Sequence, residues 1–246
     1  ASEGGWMTVA PSPIAFEGYA QPQALDDAGL ERLRTAWAEA ARRAARAGFD
    51  AVELHAAHGY LLHEFASPLS NQRTDRYGGS LENRMRFPLE VAEAVRAAWP
   101  TDRILGARIT GSDWVEGGVT PQEATVFAER LKALGYDYVV VSSGAVVPGV
   151  KIPGREPGYQ VPFAELVKAA GLPTMTVGMV VTPRQAEEIV ASGKADMVAL
   201  ARGVLDDPHW GHHARVALGL PEQMPVQYAR AQNDVWPGYA IAHGQG

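Results

Sequence analysis

The chain has 246 residues, of which 46% are hydrophobic and 20% are charged, and its formal net charge at pH 7 is −6. This composition is typical of one large globular domain. The lack of a basic tract argues against nucleic acid as a partner, and no apolar run approaches the ~18 residues of a membrane span. Cysteine is absent, which excludes thiolate metal sites here, and without an export signal pattern the expected location is the cytoplasm.

Short β-branched apolar runs alternate with amphipathic helical runs, a pattern that predicts parallel strands joined by crossover helices. The first predicted helix covers 27–47, and a buried strand is expected around 49–56. The later expected elements are a helix after the N-cap Ser80, a strand at 104–109, a helix from the Thr120–Glu123 capping box to Gly135, a strand at 138–141, a helix at 161–170, a strand at 174–177, a helix from a second capping box at Thr182–Gln185 to Gly193, a strand at 197–201 and a helix from Asp207 to Gly219.

Three segments are expected to add no strands to this pattern. Residues 1–24 contain the glycines and prolines of a loop excursion, and residues 220–246 are expected to form a carboxyl-terminal extension. The segment 61–79 takes up length without adding a strand, and its part 71–79 is expected to form a structured loop rim. Five strands, each followed by a helix, are therefore predicted. Such strands form either an open doubly wound sheet or part of a closed barrel whose first units lie outside these residues.

His55, His58 and Tyr60 lie within six residues at the end of the first of these strands. Parallel α/β barrels keep their chemistry at the carboxyl ends of the strands. Two imidazoles can donate hydrogen bonds to a carbonyl or nitro oxygen, and a phenol can supply a proton nearby. A zinc site is less favoured, because only His63 is near as a third ligand and zinc needs three or four. Ordinary structural histidines are the simplest alternative.

The segment 55–87 reads HAAHGYLLHEFASPLSNQRTDRYGGSLENRMRF, with VGM at 177–179 and ALARGVLDDP at 199–208. These segments closely resemble the Old Yellow Enzyme family, whose members are FMN-dependent ene-reductases folded as TIM (β/α)8 barrels. VQYAR at 226–230 resembles the tail of the bacterial thermophilic-like branch. The resemblance covers nearly the whole chain and implies one partial α/β barrel domain over 1–246. This domain would supply about strands 4–8, whereas the first three βα units and their flavin contacts would lie elsewhere.

The resemblance also implies roles for individual residues. His55 and His58 would hold the oxygen of the substrate, and Tyr60 would protonate its α-carbon. The residues implied for FMN are Arg108 beneath the flavin, Gly178, Met179, Ala201 and Arg202 around the phosphate, and Arg230, which would reach the flavin of a neighbouring subunit. Gly178 and Arg202 also follow late strands, where TIM barrels commonly bind phosphate, and Ser142, Ser143 and Gly144 are expected to line the pocket.

Two of these roles have simpler alternatives. Arg108 could form an inter-strand ion pair with Glu53 or Asp113, since a buried arginine needs a partner, and this pairing would not exclude the flavin role. Arg230 could be a solvated charge on the tail. The implied neighbouring-subunit contact predicts a homo-oligomer.

The predicted function is reduction of the C=C bond of an α,β-unsaturated carbonyl or nitro compound. NADPH or NADH would reduce FMN, hydride would pass from flavin N5 to the substrate, and Tyr60 would supply the proton. A complementary amino-terminal fragment is the expected partner. One alternative is a flavin-independent barrel enzyme acting on a phosphorylated substrate, although no lysine is expected at a strand end. The other is a non-catalytic half-barrel that complements another chain.

Overall fold

The computed structural model describes residues 4–152, 156–221 and 224–242. Two short strands near the amino end, β1 (Val9–Ala10) and β2 (Gln23–Ala24), pair with each other in parallel. The main sheet has five parallel strands, which are β3 (Ala51–Ala56), β4 (Ile104–Thr110), β5 (Tyr138–Ser142), β6 (Thr174–Val177) and β7 (Met197–Ala199). The outer ends of the predicted loop excursion (1–24) and extension (220–246) fall outside the described residues.

The order of the strands in the main sheet follows their order in the chain, from β3 to β7. A doubly wound sheet reverses its strand order at a switch point, and this sheet contains no reversal. Parallel strands in sequential order with helices between them have the topology of a (β/α)8 barrel. The sheet therefore favours five consecutive barrel strands over the doubly wound alternative.

Helices connect the strands and cover one face of the sheet. Their bounds are α1 (Asp27–Arg46), α2 (Leu61–Ala66), α3 (Leu81–Ala98), α4 (Pro121–Ala133), α5 (Val161–Val167), α6 (Pro183–Ala191), α7 (Arg202–Asp206), α8 (Trp210–Ala217) and α9 (Tyr239–Ala242), with 3-10 turns at Lys168–Ala170 and Val226–Ala231. Ser80 caps α3, and Thr120 and Glu123 form the predicted reciprocal capping box at α4. None of the described helices is both long and apolar enough to cross a membrane.

The second predicted capping box forms only in part. The Thr182 hydroxyl accepts a hydrogen bond from the backbone N–H of Gln185, as expected. The Gln185 side chain, however, accepts from the N–H of Val181 and donates to the carbonyl of Met179. It therefore holds the loop after β6 instead of returning to Thr182, so the prediction of a reciprocal box is wrong here.

Three other parts of the chain go beyond or differ from the predictions. The segment 61–79 adds no strand, as expected, but begins with the helix α2, which was not predicted. The strand expected at 197–201 ends at Ala199, and the helix expected from Asp207 to Gly219 is replaced by α7 before Asp207 and α8 after it. The helices involved are short, and no side chain caps their first turns, so the sequence contains no capping pattern that would mark where they begin.

The strand β3 is buried on one face only. Leu54 and Ala56 face the helices and are buried, whereas Glu53 and His55 on the opposite face are exposed, and Phe49 before the strand is 59% exposed. Side chains alternate between the two faces of a strand, so the exposed face corresponds to the interior of the barrel. The prediction of a buried strand at 49–56 is thus wrong for this face, which the described residues leave uncovered.

Candidate active site

The carboxyl edge of the main sheet concentrates unusual backbone conformations. Four described residues other than glycine have φ between 53° and 76°, namely His58, Trp114, Ala145 and Met179. Each lies in the loop after one of the neighbouring strands β3, β4, β5 and β6. Such conformations cost on the order of 1–3 kcal/mol each and tend to cluster at functional sites. This edge is therefore the candidate active site.

The two histidines and the tyrosine of segment 55–60 lie together at this edge. The ring centroids of His55 and His58 are 5.1 Å apart, and those of His55 and Tyr60 are 5.3 Å apart. His55 pairs with Arg108 of β4 on the uncovered face of the sheet. Tyr60, directly before α2, is 63% exposed. The predicted cluster is thus brought together, with its phenol facing open space.

Both imidazoles are neutral at pH 7. Burial first, and then the nearby positive charge of Arg108 and the rings of His55 and His63, together lower the pKa of His58 to about 4. Burial first, and then Arg108 and His63, also lower the pKa of His55. A neutral imidazole carries one N–H, so each ring can donate one hydrogen bond and accept another.

The side chain of Ser142 engages one ring nitrogen of His58. The distance from His58 Nε2 to Ser142 Oγ is 2.7 Å, and the backbone N–H of His58 donates to the Thr110 hydroxyl at 3.4 Å. When the Ser142 hydroxyl donates to Nε2, the ring proton lies on Nδ1 and is available to another acceptor. Ser142 thereby helps to decide which nitrogen of His58 can donate.

Gln160 joins the loops that follow three strands. Its Oε1 accepts from the Ser143 hydroxyl at 2.5 Å and lies 3.3 Å from the Ser142 hydroxyl, whose single proton can go either to Gln160 or to His58 Nε2. Its Nε2 donates to the carbonyl of Val177 at 2.7 Å. The indole N–H of Trp114 donates to Ser143 at 2.8 Å. Sequence analysis missed Gln160, because its partners lie 17 and 18 residues away and no local pattern connects them.

Arg108 has an unsatisfied donor in this part of the structure. Its Nε is buried and has no hydrogen-bond partner among the described residues. Glu53 instead accepts from the Tyr138 hydroxyl at 3.1 Å, and Asp113 faces His63 at 2.9 Å, so the ion-pair alternative for Arg108 is wrong. A buried guanidinium donor without an acceptor is costly. This arginine therefore fits an anionic or oxygen-rich group at the edge of the sheet, such as the flavin ring that the resemblance implies.

The residues expected around the phosphate lie in two neighbouring loops. Val177 pairs with Ala199, so the loops that begin at Gly178 and at residue 200 leave the sheet side by side. Ala201 is the N-cap of the short helix α7, and Arg202 is its first residue. Arg202 is exposed and makes no hydrogen bond or ion pair with the rest of the described chain. Its guanidinium is therefore available to an anion.

The structure shows why residue 178 is a glycine, which the sequence does not reveal. Its φ is +102°, and a Cβ at this position would lie 2.2 Å from Gln160 Nε2. A side chain would therefore displace the amide that holds the carbonyl of Val177. Gly178 was expected to lie around the phosphate, and the group that lies closest to it in this structure is the Gln160 side chain.

Arg230 lies on the tail, apart from the strand ends. It is exposed, belongs to the 3-10 turn Val226–Ala231, and makes no hydrogen bond or ion pair with other described residues. The tail residues Tyr228 and Trp236 border a cavity of about 450 Å³ together with His209 and His213 around α8. The expected contact of Arg230 with a neighbouring subunit stays a prediction.

His63, the nearest candidate for a third zinc ligand, instead contacts Asp113 and the backbone of Gly59. Its Nε2 lies 2.9 Å from Asp113 Oδ1, and its Nδ1 accepts the backbone N–H of Gly59 at 2.8 Å. Sequence analysis named both side chains but not their contact, which joins residues far apart in the chain. Within the described part of the chain, no group of three His, Asp or Glu side chains is arranged to hold a metal ion.

Comparison with known proteins decides the family. The sequence model of the NADH:flavin oxidoreductase / NADH oxidase family matches residues 8–223. The chain belongs to this family. It is 47% identical to the NADPH dehydrogenase of Geobacillus thermodenitrificans (strain NG80-2) over 225 residues, which are 90% of this chain and 65% of that enzyme. Family membership and this identity confirm the predicted resemblance to the Old Yellow Enzyme family.

Solved structures of two relatives share the fold. Morphinone reductase in complex with tetrahydroNAD superposes with a TM-score of 0.71 at 29% identity, over 91% of this chain and 63% of that one. An old yellow enzyme homologue from Zymomonas mobilis gives a TM-score of 0.72 at 29% identity, over 90% of this chain and 64% of that one. The prediction of a partial TIM barrel is confirmed, and the chain spans just under two thirds of the length of these relatives.

Proposed function

We propose that this chain forms the substrate-binding side of an FMN-dependent ene-reductase that uses NADPH or NADH. The observation that carries the proposal is the cluster of His55, His58 and Tyr60 beside a buried, unpartnered Arg108 donor at the carboxyl edge of five barrel strands. The name of the Geobacillus relative and the tetrahydroNAD bound to morphinone reductase support a nicotinamide reductant. FMN, when bound, would take a hydride from this reductant and pass it to the β-carbon of the substrate.

The two histidines would bind the oxygen of an α,β-unsaturated carbonyl or nitro compound. Both rings are neutral, and each has one N–H to donate. Donation to the oxygen withdraws electrons from the double bond and stabilises the negative charge that develops on the oxygen. For His58, the single proton of the Ser142 hydroxyl would go to Nε2, the nearer of its two acceptors at 2.7 Å against 3.3 Å for Gln160 Oε1, and the ring proton would then lie on Nδ1.

Tyr60 would donate the proton to the α-carbon. Its side chain is 63% exposed and its ring lies 5.3 Å from that of His55, so a substrate oxygen bound by the histidines would have the phenol beside it. A positioned general acid contributes typically about 10²–10⁴-fold to such a step. Its exposure and its place beside His55 support this role for Tyr60.

The residues proposed for FMN fit its chemical groups. The free Nε–H of Arg108 suits the oxygen-rich edge of the isoalloxazine ring, where negative charge accumulates on reduction. Arg202, beside the backbone of Gly178, Met179 and Ala201, suits the phosphate. Arg230 would act from a neighbouring subunit of a homo-oligomer.

The uncovered face and edges of the sheet support a further part of the proposal. The complete site needs three more βα units, supplied by the same polypeptide or by a complementary fragment. The flavin-independent alternative is disfavoured, because the matching family model is that of flavin oxidoreductases and the Geobacillus relative is an NADPH dehydrogenase. The non-catalytic alternative gives no role to the neutral histidines beside Tyr60.

The test compares the full-length natural protein with its Tyr60→Phe variant. The purified protein should show the visible absorption of flavin, and NADPH should bleach it without oxygen. A cyclic enone should then restore the oxidised spectrum about 10²–10⁴-fold more slowly in Tyr60→Phe, because the phenylalanine cannot supply the proton. Tyr19→Phe, at another exposed tyrosine, is the control and should behave as the wild type. A colourless protein, or unchanged reoxidation in Tyr60→Phe, would contradict the proposal.

A further inference from the structure

A buried pair of side chains lies behind the turn that carries the active-site residues. His63 in α2 is 1% exposed and Asp113 in the loop after β4 is 0% exposed, and the distance from Nε2 to Oδ1 is 2.9 Å. The proposed reaction uses neither side chain. Burying two ionisable groups costs free energy unless their hydrogen-bonding needs are met, so their surroundings indicate what they do.

The surroundings of His63 determine where its ring proton lies. The backbone N–H of Gly59 donates to Nδ1 at 2.8 Å, so Nδ1 must carry a lone pair. The proton of the neutral ring is then on Nε2, where it faces Asp113. A ring protonated on both nitrogens could not accept from Gly59. The negative charge of Asp113 beside Nε2 therefore favours the tautomer that can hold the Gly59 amide.

Asp113 is itself held in the charged state. Its Oδ2 accepts from the Ser67 hydroxyl at 2.8 Å and from the backbone N–H of Val119 at 2.7 Å. Burial by itself raises the pKa of Asp113, but the contact with His63 and these two hydrogen bonds outweigh it and hold the pKa below its ordinary value. The carboxylate is thus a fixed negative charge 2.9 Å from His63 Nε2, in a contact that is close but lacks the geometry of a hydrogen bond.

The Gly59 amide lies at the centre of a tight turn. The φ angles of His58 and Gly59 are +59° and +72°, and Tyr60 follows directly. A Cβ at Gly59 would lie 2.2 Å from the carbonyl oxygen of Ala145, so the turn has no room to shift in that direction. The hydrogen bond to His63 holds it from the other side. Its loss would release the backbone between the two active-site side chains.

We propose that His63 is a positioning residue, whose Nδ1 fixes the Gly59 amide and through it the orientations of His58 and Tyr60. Asp113 serves this role by keeping the proton on Nε2. The inference rests on the function proposed above for His58 and Tyr60. It adds that a side chain without substrate contact sets the geometry of both.

Two substitutions in the full-length protein separate positioning from packing. In His63→Asn, the amide oxygen can take the place of Nδ1 and accept from Gly59. In His63→Leu, the site is filled by an apolar side chain with no acceptor. Both variants leave Asp113 without the imidazole, so they share that cost. A packing role alone would favour leucine at a position that is 1% exposed.

Three readouts test the inference. We expect His63→Leu to lose protection from hydrogen exchange in the peptide that contains Gly59, and its kcat for enone reduction to fall about 10–100-fold at unchanged FMN content. His63→Asn should retain most of both. In the wild type, ¹⁵N signals of the His63 ring should show a proton on Nε2 and a lone pair on Nδ1.

The opposite results would overturn the inference. These are equal Gly59 protection and kcat in the two variants, better retention with leucine, or a wild-type His63 ring protonated on Nδ1. If His63→Leu fails to fold, the ring signals of the wild type and the hydrogen-exchange protection of Gly59 in His63→Asn still test whether His63 positions the Gly59 amide. Absence of enone reduction in the wild type would refute the proposed function instead, and the exchange and ¹⁵N measurements do not depend on it.

Discussion

At the scale of single residues, the site combines two neutral histidines, His55 and His58, with one arginine, Arg108, whose positive charge is not paired with a carboxylate of the described residues. The guanidinium of Arg108 contributes to lowering the pKa of both His55 and His58, while its own Nε finds no partner among the described residues. A bound group that accepts from Arg108 would satisfy this donor and partly neutralise its charge. The histidines are thereby coupled to whatever occupies the space beside Arg108.

The lowered pKa of His58 predicts how stability depends on pH. The ordinary histidine pKa is 6.5, and that of His58 in the folded chain is about 4. Between these values the unfolded chain takes up a proton that the folded chain does not, so the free energy of unfolding should decrease as the pH falls from about 6.5 to about 4. His58→Asn should reduce this slope, which urea unfolding at several pH values measures.

The exposed residue His209 provides the control for this prediction. His209→Asn should leave the slope as in the wild type, because this residue lies in an exposed position at the start of α8. Some slope should remain in His58→Asn, since the pKa of His55 is lowered as well. A slope equal to that of the wild type in His58→Asn would show that His58 is not the responsible group.

At the scale of elements, hydrogen bonds local in sequence were predicted best. The caps at Ser80 and Thr120 lie within three residues of the N–H groups that they bind, so the sequence pattern contains the whole interaction. The helix α2 begins at Leu61, and Tyr60 before it makes no side-chain capping hydrogen bond, so nothing in the sequence marks its start. The contacts of Gln160 and Asp113 depend on which strands are neighbours, and only the folded sheet supplies that information.

A layer across three strands gives a test of the barrel interior. Gly106 on β4 pairs with Glu53 on β3 and with Tyr138 on β5. The Tyr138 ring lies over Gly106, where a Cβ would be 2.1 Å from ring atom Cζ, and its hydroxyl donates to Glu53. Gly106→Ala should therefore push the ring aside, break this hydrogen bond and destabilise the full-length protein by about 1–3 kcal/mol.

The matched substitution is Gly211→Ala in α8. A Cβ at Gly211 would meet nothing within 4 Å, and alanine is favoured over glycine inside a helix by up to about 1 kcal/mol. Denaturant unfolding of both variants should give opposite signs, with Gly106→Ala less stable and Gly211→Ala at least as stable as the wild type. A neutral Gly106→Ala would mean that the Tyr138 ring does not close over β4.

At the scale of the whole molecule, the sheet is open at both sides. Among the described residues, β3 pairs only with β4, and β7 pairs only with β6. Open strand edges expose unpaired N–H and C=O groups and favour association with other strands. The uncovered face also carries His55 and Glu53. The groups proposed to bind substrate and flavin thus lie on the surface that further strands would cover.

This arrangement predicts that flavin retention depends on barrel completion. Residues 1–246 produced alone should be colourless after purification and should aggregate, because the edges are open and part of the flavin cradle is absent. Production together with a segment that supplies the first three βα units should give a soluble complex with flavin absorption. Size-exclusion chromatography recorded at protein and flavin wavelengths measures both properties at once.

Arg108→Met in the same two-part system distinguishes assembly from flavin binding. Methionine fills similar space and removes the charge and the free N–H, so the complex should still assemble but retain less flavin. Lys132→Met, on the outer helix α4, is the matched control and should retain flavin as the wild type does. Stable flavin binding by residues 1–246 alone would contradict the proposed need for further strands. Equal flavin retention in Arg108→Met would contradict the assignment of Arg108, because the unpartnered donor that supports it would then have no bearing on the cofactor.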